Sequence, residues 1–251
     1  MSCAPGRRGR RGRASCYGAG VNEGFTRFAD GVWIATEPAR ILGMRLTATM
    51  TALRLPGGGL LLYSPIRLTP AREAAARALG PVRHLYAPNL FHHLHIGAWA
   101  AAFPEARVHA PPGLQEKRPD LRVDRLQDGE GEPDFDGVID ELPIAGFRLA
   151  ERALCYRPAR TLLVADLVHN VGAPSQPWAR FYTRAMGFYD RVALSRMIRW
   201  TGFSDRAAAR RSVDELLARP FDRLVVGHGA PLEGGAQEAL ATAYAWLPQS
   251  P

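Results

Sequence analysis

The sequence predicts a layered α/β domain, with β-sheets inside and α-helices outside. Strand-like segments rich in apolar and β-branched residues follow one another at 28–35, 45–53 and 59–63, and later strand-like segments alternate with helical ones. Consecutive strands followed by alternating strands and helices are typical of a layered α/β domain. The 251 residues are enough to bury the core of one large domain.

The first helix has the clearest boundaries. Thr69 is a suitable N-cap, Pro70 occupies the first helical position, and Gly80-Pro81 ends the helix. Pro38 is expected to break the strand pattern that precedes this helix, and a strand at 82–87 is expected after the helix. The sequence therefore predicts a strand–helix–strand unit over residues 59–87.

The remaining elements are predicted in order along the chain. A short helix at 96–102 and a strand at 107–110 precede a long polar loop at 111–137. Two adjacent strands are then expected at 147–156 and 161–165, followed by an amphipathic helix at 175–200. A helix capped by Ser204 is expected at 204–218, a strand at 224–226 and a final helix at 235–246.

Much of the positive charge lies in one terminal segment. The net charge is +8, and residues 7–13 contain five arginines and no acid. We expect residues 1–24 to form a disordered Arg/Gly-rich head and residues 25–251 to form a single domain. Nucleic acid is expected to bind through this head if at all.

Composition also excludes several classes of protein. No apolar stretch approaches the roughly 18 residues of a membrane span, so no membrane partner is expected. No apolar run follows the basic N-terminus, which favours the cytoplasm. The three cysteines have no C-x-x-C spacing, so they indicate neither a disulfide framework nor a thiolate zinc site.

Histidines are concentrated directly after the strand at 82–87. His92, His93 and His95 lie within four positions, and Asn89 precedes them. Imidazole is a common ligand of zinc and iron and a common general base near neutral pH. The cluster indicates a metal or catalytic site, although three histidines can also share a solvated surface.

Two further strands end in a residue that can bind a metal. Asp166 follows the strand at 161–165, and His228 follows the strand at 224–226. Sites in layered α/β folds form at the carboxyl ends of strands. Convergence of the three segments would give imidazoles and one carboxylate, which suits zinc or iron. The simpler alternatives are a capping aspartate and a turn histidine.

These segments resemble the metallo-β-lactamase-fold superfamily of metal-dependent hydrolases, in a divergent and poorly characterised branch. Thr161-Leu162-Leu163-Val164-Ala165-Asp166 is similar to the family's aspartate strand, and Val225-Val226-Gly227-His228-Gly229-Ala230-Pro231 to its last-histidine turn. The resemblance spans most of residues 25–246. It implies a four-layer αββα sandwich with a metal site along one edge of the two sheets.

The first motif departs from the family pattern H-x-H-x-D-H. His92 takes the aspartate position and His93 the histidine after it, whereas Pro88 and Leu90 take the two earlier histidine positions. The family's later histidine is also missing. The resemblance therefore implies one metal ion rather than two, held by His92, His93, Asp166 and His228. Zinc is the expected ion, with iron and manganese as alternatives.

The function that the resemblance implies is hydrolysis of a small-molecule ester, lactone, thioester or phosphoester by a metal-activated water. Asp166 and His92 are the expected catalytic residues. His95 and His169 are candidates for an additional ligand or a proton shuttle, and Asn89 for a hydrogen bond to a ligand or a turn cap. Because histidines are missing, whether the chain is an enzyme stays open. The alternative is a catalytically inactive protein of the same fold that binds a small molecule or a partner.

Overall fold

The computed structural model describes residues 22–248, which form two β-sheets. The first sheet has seven strands in sequence order: β1 Asn22–Ala29, β2 Val32–Ile41, β3 Met44–Arg54, β4 Leu60–Tyr63, β5 Val82–Tyr86, β6 Arg107–Ala110 and β7 Arg125–Leu126. The second has four, in the order β11-β10-β9-β8: β8 Ile139–Pro143, β9 Arg152–Tyr156, β10 Thr161–Leu163 and β11 Arg223–Val225. The α-helices are α1 Pro70–Leu79, α2 Ile96–Ala102, α3 Leu114–Lys117, α4 Pro177–Ala185, α5 Arg196–Thr201, α6 Arg206–Leu217 and α7 Ala236–Tyr244.

Three apolar cores separate four layers. One core lies between the sheets and joins Ile34 of β2 to Leu154 of β9. A second packs α1 and α2 on the outer face of the first sheet, with Trp99 fully buried. The third packs Val213 of α6 and Leu240 of α7 on the outer face of the second sheet. The predicted αββα sandwich is confirmed.

The strand directions place several carboxyl ends at one edge of the sandwich. Strands β4 to β7 are parallel to one another, as are β10 and β11, whereas β3 runs antiparallel to β4. The first half of β3 therefore extends past the end of β4. There the Thr49 N–H donates to the Gly227 carbonyl at 3.0 Å, which ties the two sheets together beside the end of β11.

The predicted first helix is confirmed, including its cap. The Thr69 hydroxyl accepts a hydrogen bond from the Arg72 N–H at 3.2 Å, and Pro70 is the first helical residue. The predicted cap of α6 moves by one residue. The Asp205 carboxylate, not Ser204, accepts from the Ala208 N–H at 2.9 Å.

The start of the domain differs from the prediction. A single strand was predicted over 28–35, but the chain turns at Asp30-Gly31, where Gly31 has a φ of +68°. Pro38 lies inside β2 rather than breaking it, because the pairing of β2 with the described part of β1 ends at Thr36, so among residues 22–248 only β3 pairs with β2 at Pro38. Residues 22–24, which were assigned to the head, begin β1. The remainder of the predicted head, residues 1–21, lies outside the described residues.

Three segments in the second half also differ. The strand predicted at 147–156 begins only at Arg152, after a turn in which Ala150 has a φ of +51°, and β8 was not predicted. The predicted loop at 111–137 contains the short α3 and β7. The helix predicted at 175–200 is divided into α4 and α5, because Gly187 and Asp190 adopt positive φ angles of 77° and 50°. Within residues 22–248, no helix combines the length and apolar character that a membrane crossing requires.

Candidate metal centre

Three strand ends bring two histidines and an aspartate together. His92 follows β5, Asp166 follows β10 and His228 follows β11. One ligand atom from each lies within 4.8 Å of the others. The three side chains are only 10–12% exposed, so the group lies in a protected but reachable position.

His92 is oriented by the end of β4. Its Nδ1 lies 2.8 Å from the Ser64 hydroxyl, and its Nε2 lies 3.4 Å from Asp166 Oδ2. Ser64 has a φ of +56°, an unfavourable backbone conformation for a non-glycine residue that often occurs at functional sites. When Nδ1–H donates to Ser64, the Nε2 lone pair is available to a cation.

His228 is oriented by β3. Its Nδ1 lies 2.9 Å from the Thr47 carbonyl oxygen, which can only accept, so Nδ1 carries the hydrogen. The Nε2 lone pair then faces the group, 3.7 Å from Asp166 Oδ1. A backbone acceptor on Nδ1 is a common arrangement for a histidine that binds a metal through Nε2.

Both glycines beside His228 are required by close backbone contacts. A Cβ at Gly227 would lie 2.6 Å from the Ala165 carbonyl oxygen and 2.7 Å from the His92 ring. Gly229 has a φ of +105°, and a Cβ there would lie 2.0 Å from the Asn170 carbonyl oxygen. The Gly-His-Gly sequence thus lets the turn pass close to the end of β10 and to His92.

Asn89 links the two halves of the group with four hydrogen bonds. Its Oδ1 accepts from the N–H groups of Phe91 and His92 at 2.9 and 2.8 Å. Its Nδ2 donates to Asp166 Oδ2 at 2.9 Å and to Glu151 Oε2 at 3.0 Å. Asn89 therefore caps the turn that carries His92 and positions Asp166, leaving Oδ1 of that carboxylate to face a ligand.

Glu151 is a buried carboxylate that the sequence analysis missed. It accepts hydrogen bonds from the N–H groups of Ala165, Asp166 and Leu167 at 2.9, 2.8 and 3.1 Å. These bonds fix the backbone just after β10. The only signal in the sequence is an acidic residue at the start of an apolar strand, which is too common to identify it.

The electrostatics of the group keep Asp166 ionised. Burial raises the pKa of Asp166, but the His92 charge and hydrogen bond, followed by His228 and His169, hold it well below its usual range. Burial lowers the pKa of His92, but the Asp166 charge and hydrogen bond outweigh it, so the net pKa is raised. Burial and the Asp166 charge raise the pKa of Glu151 to about 7.

The imidazoles of His228 and of the neighbouring His169 are held neutral. Burial, followed by the His92 charge, lowers the pKa of His228. Burial also lowers the pKa of His169 to about 4, against the opposing effect of Asp166. Neutral imidazole is the form that binds metals.

His169 lies beside the group. Its ring centroid is 5.8 Å from that of His228, and its backbone pairs with Ala193. Its Nδ1 is buried and has no hydrogen-bond partner within residues 22–248. A buried nitrogen without a partner is costly, which is consistent with a role toward a ligand that is not part of the chain.

This architecture is shared with proteins of known structure. The metallo-β-lactamase from Pontibacter korlensis has a TM-score of 0.60 and 12% identity, over 88% of this chain and 96% of that chain. FIM-1 from Pseudomonas aeruginosa, in its mono-zinc form, has a TM-score of 0.58 and 12% identity, over 88% and 94%. The metallo-β-lactamase from Erythrobacter litoralis has a TM-score of 0.58 and 15% identity, over 89% and 96%.

This chain has the metallo-β-lactamase fold. Sequence comparison alone does not reveal it, because no protein-family model and no curated protein matches the chain significantly. At 15% identity or less, the similarity establishes the fold and not the activity.

Within this metallo-β-lactamase fold, the structure does not bring His93 into the group formed by His92, Asp166 and His228. Its Nδ1 lies 3.4 Å from the Arg118 guanidinium, and its Nε2 is buried without a partner among the described residues. Adjacent residues of a turn project in different directions, and Asn89 fixes the backbone at His92. The fourth ligand implied by the resemblance is therefore not found beside the other three.

His95 also lies outside the group. It occupies the N-cap position of α2, is 38% exposed, and its Nε2 lies 3.8 Å from Glu37 Oε1. Of the three additional candidates from the sequence, Asn89 contacts the group directly, His169 lies next to it, and His95 faces the Glu37 carboxylate.

A second set of potential ligands consists of His84, His109 and Glu132. Its two imidazoles are hydrogen-bonded within the protein. Arg125 faces His109 Nδ1 at 3.3 Å, His109 Nε2 lies 2.9 Å from His84 Nδ1, and His84 Nε2 lies 3.0 Å from Asp134 Oδ2. A single set of tautomers satisfies this chain, with each N–H donating toward Asp134. Arg125 also places a positive charge beside His109, which disfavours a cation there, so we interpret these residues as structural.

Proposed function

We propose that this chain is a metal-dependent hydrolase-like protein that holds one metal ion between His92, Asp166 and His228. The observation that supports the proposal is the meeting of three ligand atoms within 4.8 Å at the edge of the sandwich. Each of these side chains is also oriented by a neighbour outside the group, as is usual for metal ligands.

The donor set fits a borderline metal ion. His92 and His228 would bind through Nε2 and Asp166 through Oδ1, and the buried, unpartnered Nδ1 of His169 is a candidate additional ligand atom. Two imidazoles and one carboxylate are common ligands of zinc and of iron. An ion bound there would act as a Lewis acid on a carbonyl or phosphoryl group and would acidify water.

The residues of the chain would orient this chemistry. Ser64 and the Thr47 carbonyl hold the two imidazoles, and Asn89 holds one oxygen of the carboxylate. We assign catalytic roles to Asp166 and His92, because both would hold the ion that acts on the substrate and their facing atoms, Asp166 Oδ2 and His92 Nε2, lie 3.4 Å apart. The proposed substrate is a small-molecule ester, lactone, thioester or phosphoester, and the proposed location is the cytoplasm.

Zinc is the ion that we propose first. The chain is similar in structure to FIM-1, which was crystallised in a mono-zinc form. Iron and manganese are the alternative outcomes of the same measurement.

The test is the metal content of the purified full chain, measured by elemental analysis and by titration of metal-free protein. We expect about one ion per chain, and loss of that ion in Asp166→Asn and His228→Ala. His95→Ala is the matched control, because it removes an imidazole of the same histidine cluster outside the group, and it should retain the ion. Equal metal content in the native chain and in the three variants would reject the proposal. The absence of metal from the native chain after incubation with zinc, iron and manganese would also reject it.

A non-catalytic binding protein of the same fold is the second candidate. The observation that favours it is the presence of Pro88 and Leu90 at positions where the family pattern has histidines. Turnover of an aryl ester, a lactone and a phosphodiester should be measured against metal content. Turnover that rises with metal and disappears in Asp166→Asn supports the hydrolase, whereas stoichiometric metal without turnover of any of them favours the binding protein.

A further inference from the structure

Large exposed apolar side chains are concentrated on α4, α5 and the β2–β3 turn. Trp178 and Phe181 of α4 are 52% and 66% exposed, Met197 and Trp200 of α5 are 42% and 69% exposed, and Leu42 of the turn is 56% exposed. Single exposed apolar residues are ordinary, but several on neighbouring elements mark an interaction surface. Together with Arg180, Arg184 and Arg196 we call these residues the aromatic–arginine face.

Direct contacts join α4 to the β2–β3 turn and to the start of α5. The Trp178 ring lies 5.9 Å from that of Phe181, and its Nε1–H donates to the Leu42 carbonyl at 3.1 Å. The Arg196 guanidinium donates to the Ala185 carbonyl at 3.1 Å, so α5 begins against the end of α4. A shallow cleft of about 440 Å³ runs along one side of α4 and is lined by Pro177, Arg180, Phe181, Arg184 and Ala185.

The face carries a net positive charge. Residues 167–204 contain five arginines and a single acid, Asp190. The Arg184 guanidinium lies over the Tyr189 ring, and that of Arg196 donates to a carbonyl, so neither contact neutralises the charge. The face therefore combines aromatic side chains with positive charges that are available to an anion.

We propose that the aromatic–arginine face docks on the surface of an anionic lipid membrane. Aromatic and apolar side chains that enter the headgroup region, flanked by arginines that attract anionic lipids, are the features of interfacial binding. The sequence analysis expected no membrane partner because no segment can span a bilayer. Peripheral docking needs no such segment, and its surface appears only when the turn and the two helices come together.

Charge argues against two other occupants. Residues 1–21 contain five arginines and no acid, so this segment would be repelled by the face. A second copy of the chain, related by a two-fold axis, would bring the arginines of one face against those of the other. An anionic lipid surface compensates the charge and accepts the aromatic rings at the same time.

The experiment is flotation of the full chain with vesicles of phosphatidylcholine, alone or mixed with phosphatidylserine. All proteins carry glutamine in place of the five arginines of residues 7–13, so that this segment does not bind the vesicles itself. We expect binding to the mixed vesicles only, with weakening at high salt. The double variant Arg180→Gln/Arg184→Gln should bind about 25-fold more weakly, since each arginine near an anionic surface contributes about fivefold.

The apolar contribution has its own variant and controls. Trp178→Ser/Phe181→Ser should bind at least about 10-fold more weakly, with an unchanged far-ultraviolet circular dichroism spectrum. Leu94→Ser and Arg211→Gln remove an apolar and a basic side chain that are exposed elsewhere, and both should bind as the parent does. Brominated lipids should quench tryptophan fluorescence in the parent and not in Trp178→Phe/Trp200→Phe.

Three results would overturn the proposal. The first is equal binding to neutral and mixed vesicles, and the second is full binding by both double variants. The third is a doubled mass in light scattering that reverts to a single chain in Trp178→Ser/Phe181→Ser, which would assign the face to a second copy of the protein.

Discussion

Replacing Asn89 tests whether the two halves of the candidate metal centre depend on one side chain. Asn89→Ala removes two hydrogen bonds to backbone N–H groups and two to buried carboxylates. A neutral bond contributes about 1 kcal/mol and a bond to a charged group about 1.5–3 kcal/mol, with partial compensation by water. We expect the free energy of unfolding to fall by about 3–5 kcal/mol and the affinity for metal to fall at least about 10-fold.

Asn89→Asp keeps the oxygen that caps the turn and removes the amide group that donates to the two carboxylates. The new carboxylate still accepts from the N–H groups of Phe91 and His92. It also places an oxygen where Nδ2 now lies about 3 Å from both Asp166 and Glu151. Repulsion between buried carboxylates should make Asn89→Asp less stable than Asn89→Ala at pH 8.

The assay is urea unfolding of the metal-free proteins with a chelator present, followed by metal titration of the folded fraction. Loss of less than about 1 kcal/mol in Asn89→Ala, with unchanged metal affinity, would refute the linking role. Equal stability of native protein and Asn89→Asp at pH 8 would show that the amide donor is not needed.

Three further predictions follow from other contacts. His109 is buried and its pKa is lowered to about 2 by burial, followed by the His84 and Arg125 charges. Below pH 6.5 the unfolded chain therefore binds more protons than the folded chain, and the free energy of unfolding should fall by up to about 1.4 kcal/mol for each pH unit by which the pH is lowered. Urea unfolding between pH 7 and 5 should show a weaker pH dependence of this free energy in His109→Gln than in the native protein, and an equal pH dependence in both would contradict the prediction. Gly229→Ala should lower the free energy of unfolding by more than about 2 kcal/mol, because the new Cβ would clash with the Asn170 carbonyl oxygen. Gly172→Ala, where φ is +69° and no atom lies within 4 Å of the new Cβ, should lower it by about 1 kcal/mol in the same assay. Similar losses in the two variants would disprove the contact argument. Ser64→Ala should weaken metal binding about 10- to 100-fold in calorimetric titration, and unchanged affinity would show that Ser64 does not orient the imidazole.

Much of the fold is local information, and the sequence contains it. The N-cap at Thr69, the glycines that end or separate elements, and the alternation of strands and helices depend on neighbours in the chain. They were sufficient to predict a layered α/β domain and most of its elements, whereas the four-layer αββα sandwich was implied by the resemblance to the family. The turn at Asp30-Gly31 is a local signal that was missed, since Asp-Gly is a typical two-residue hairpin turn. The errors at Pro38 and in the helix predicted over 175–200 have a different origin, because the pairing of β2 and the positive φ angles of Gly187 and Asp190 depend on tertiary context.

The ligand set divides in the same way. Strand-end position selected Asp166, His228 and the histidine cluster after β5 as candidates, and the resemblance to the family pattern chose His92 and His93 within that cluster. His93 was included because adjacent residues of a motif cannot be told apart without side-chain directions. The contributions of Glu151 and Ser64 left no usable signal, since both act through partners at least 14 positions away in the chain.

The sequence by itself determined the layered fold, the three strand ends and the residue types that suit a metal ion. Only the tertiary structure decided which imidazole of the cluster meets Asp166 and His228, and that Asn89 joins them. It also decided that α4 contacts both the β2–β3 turn and the start of α5, so that their exposed aromatic and basic side chains lie on neighbouring elements. The reason is physical: periodicity and capping act over a few residues, whereas side-chain direction and surface continuity are set by contacts between distant segments.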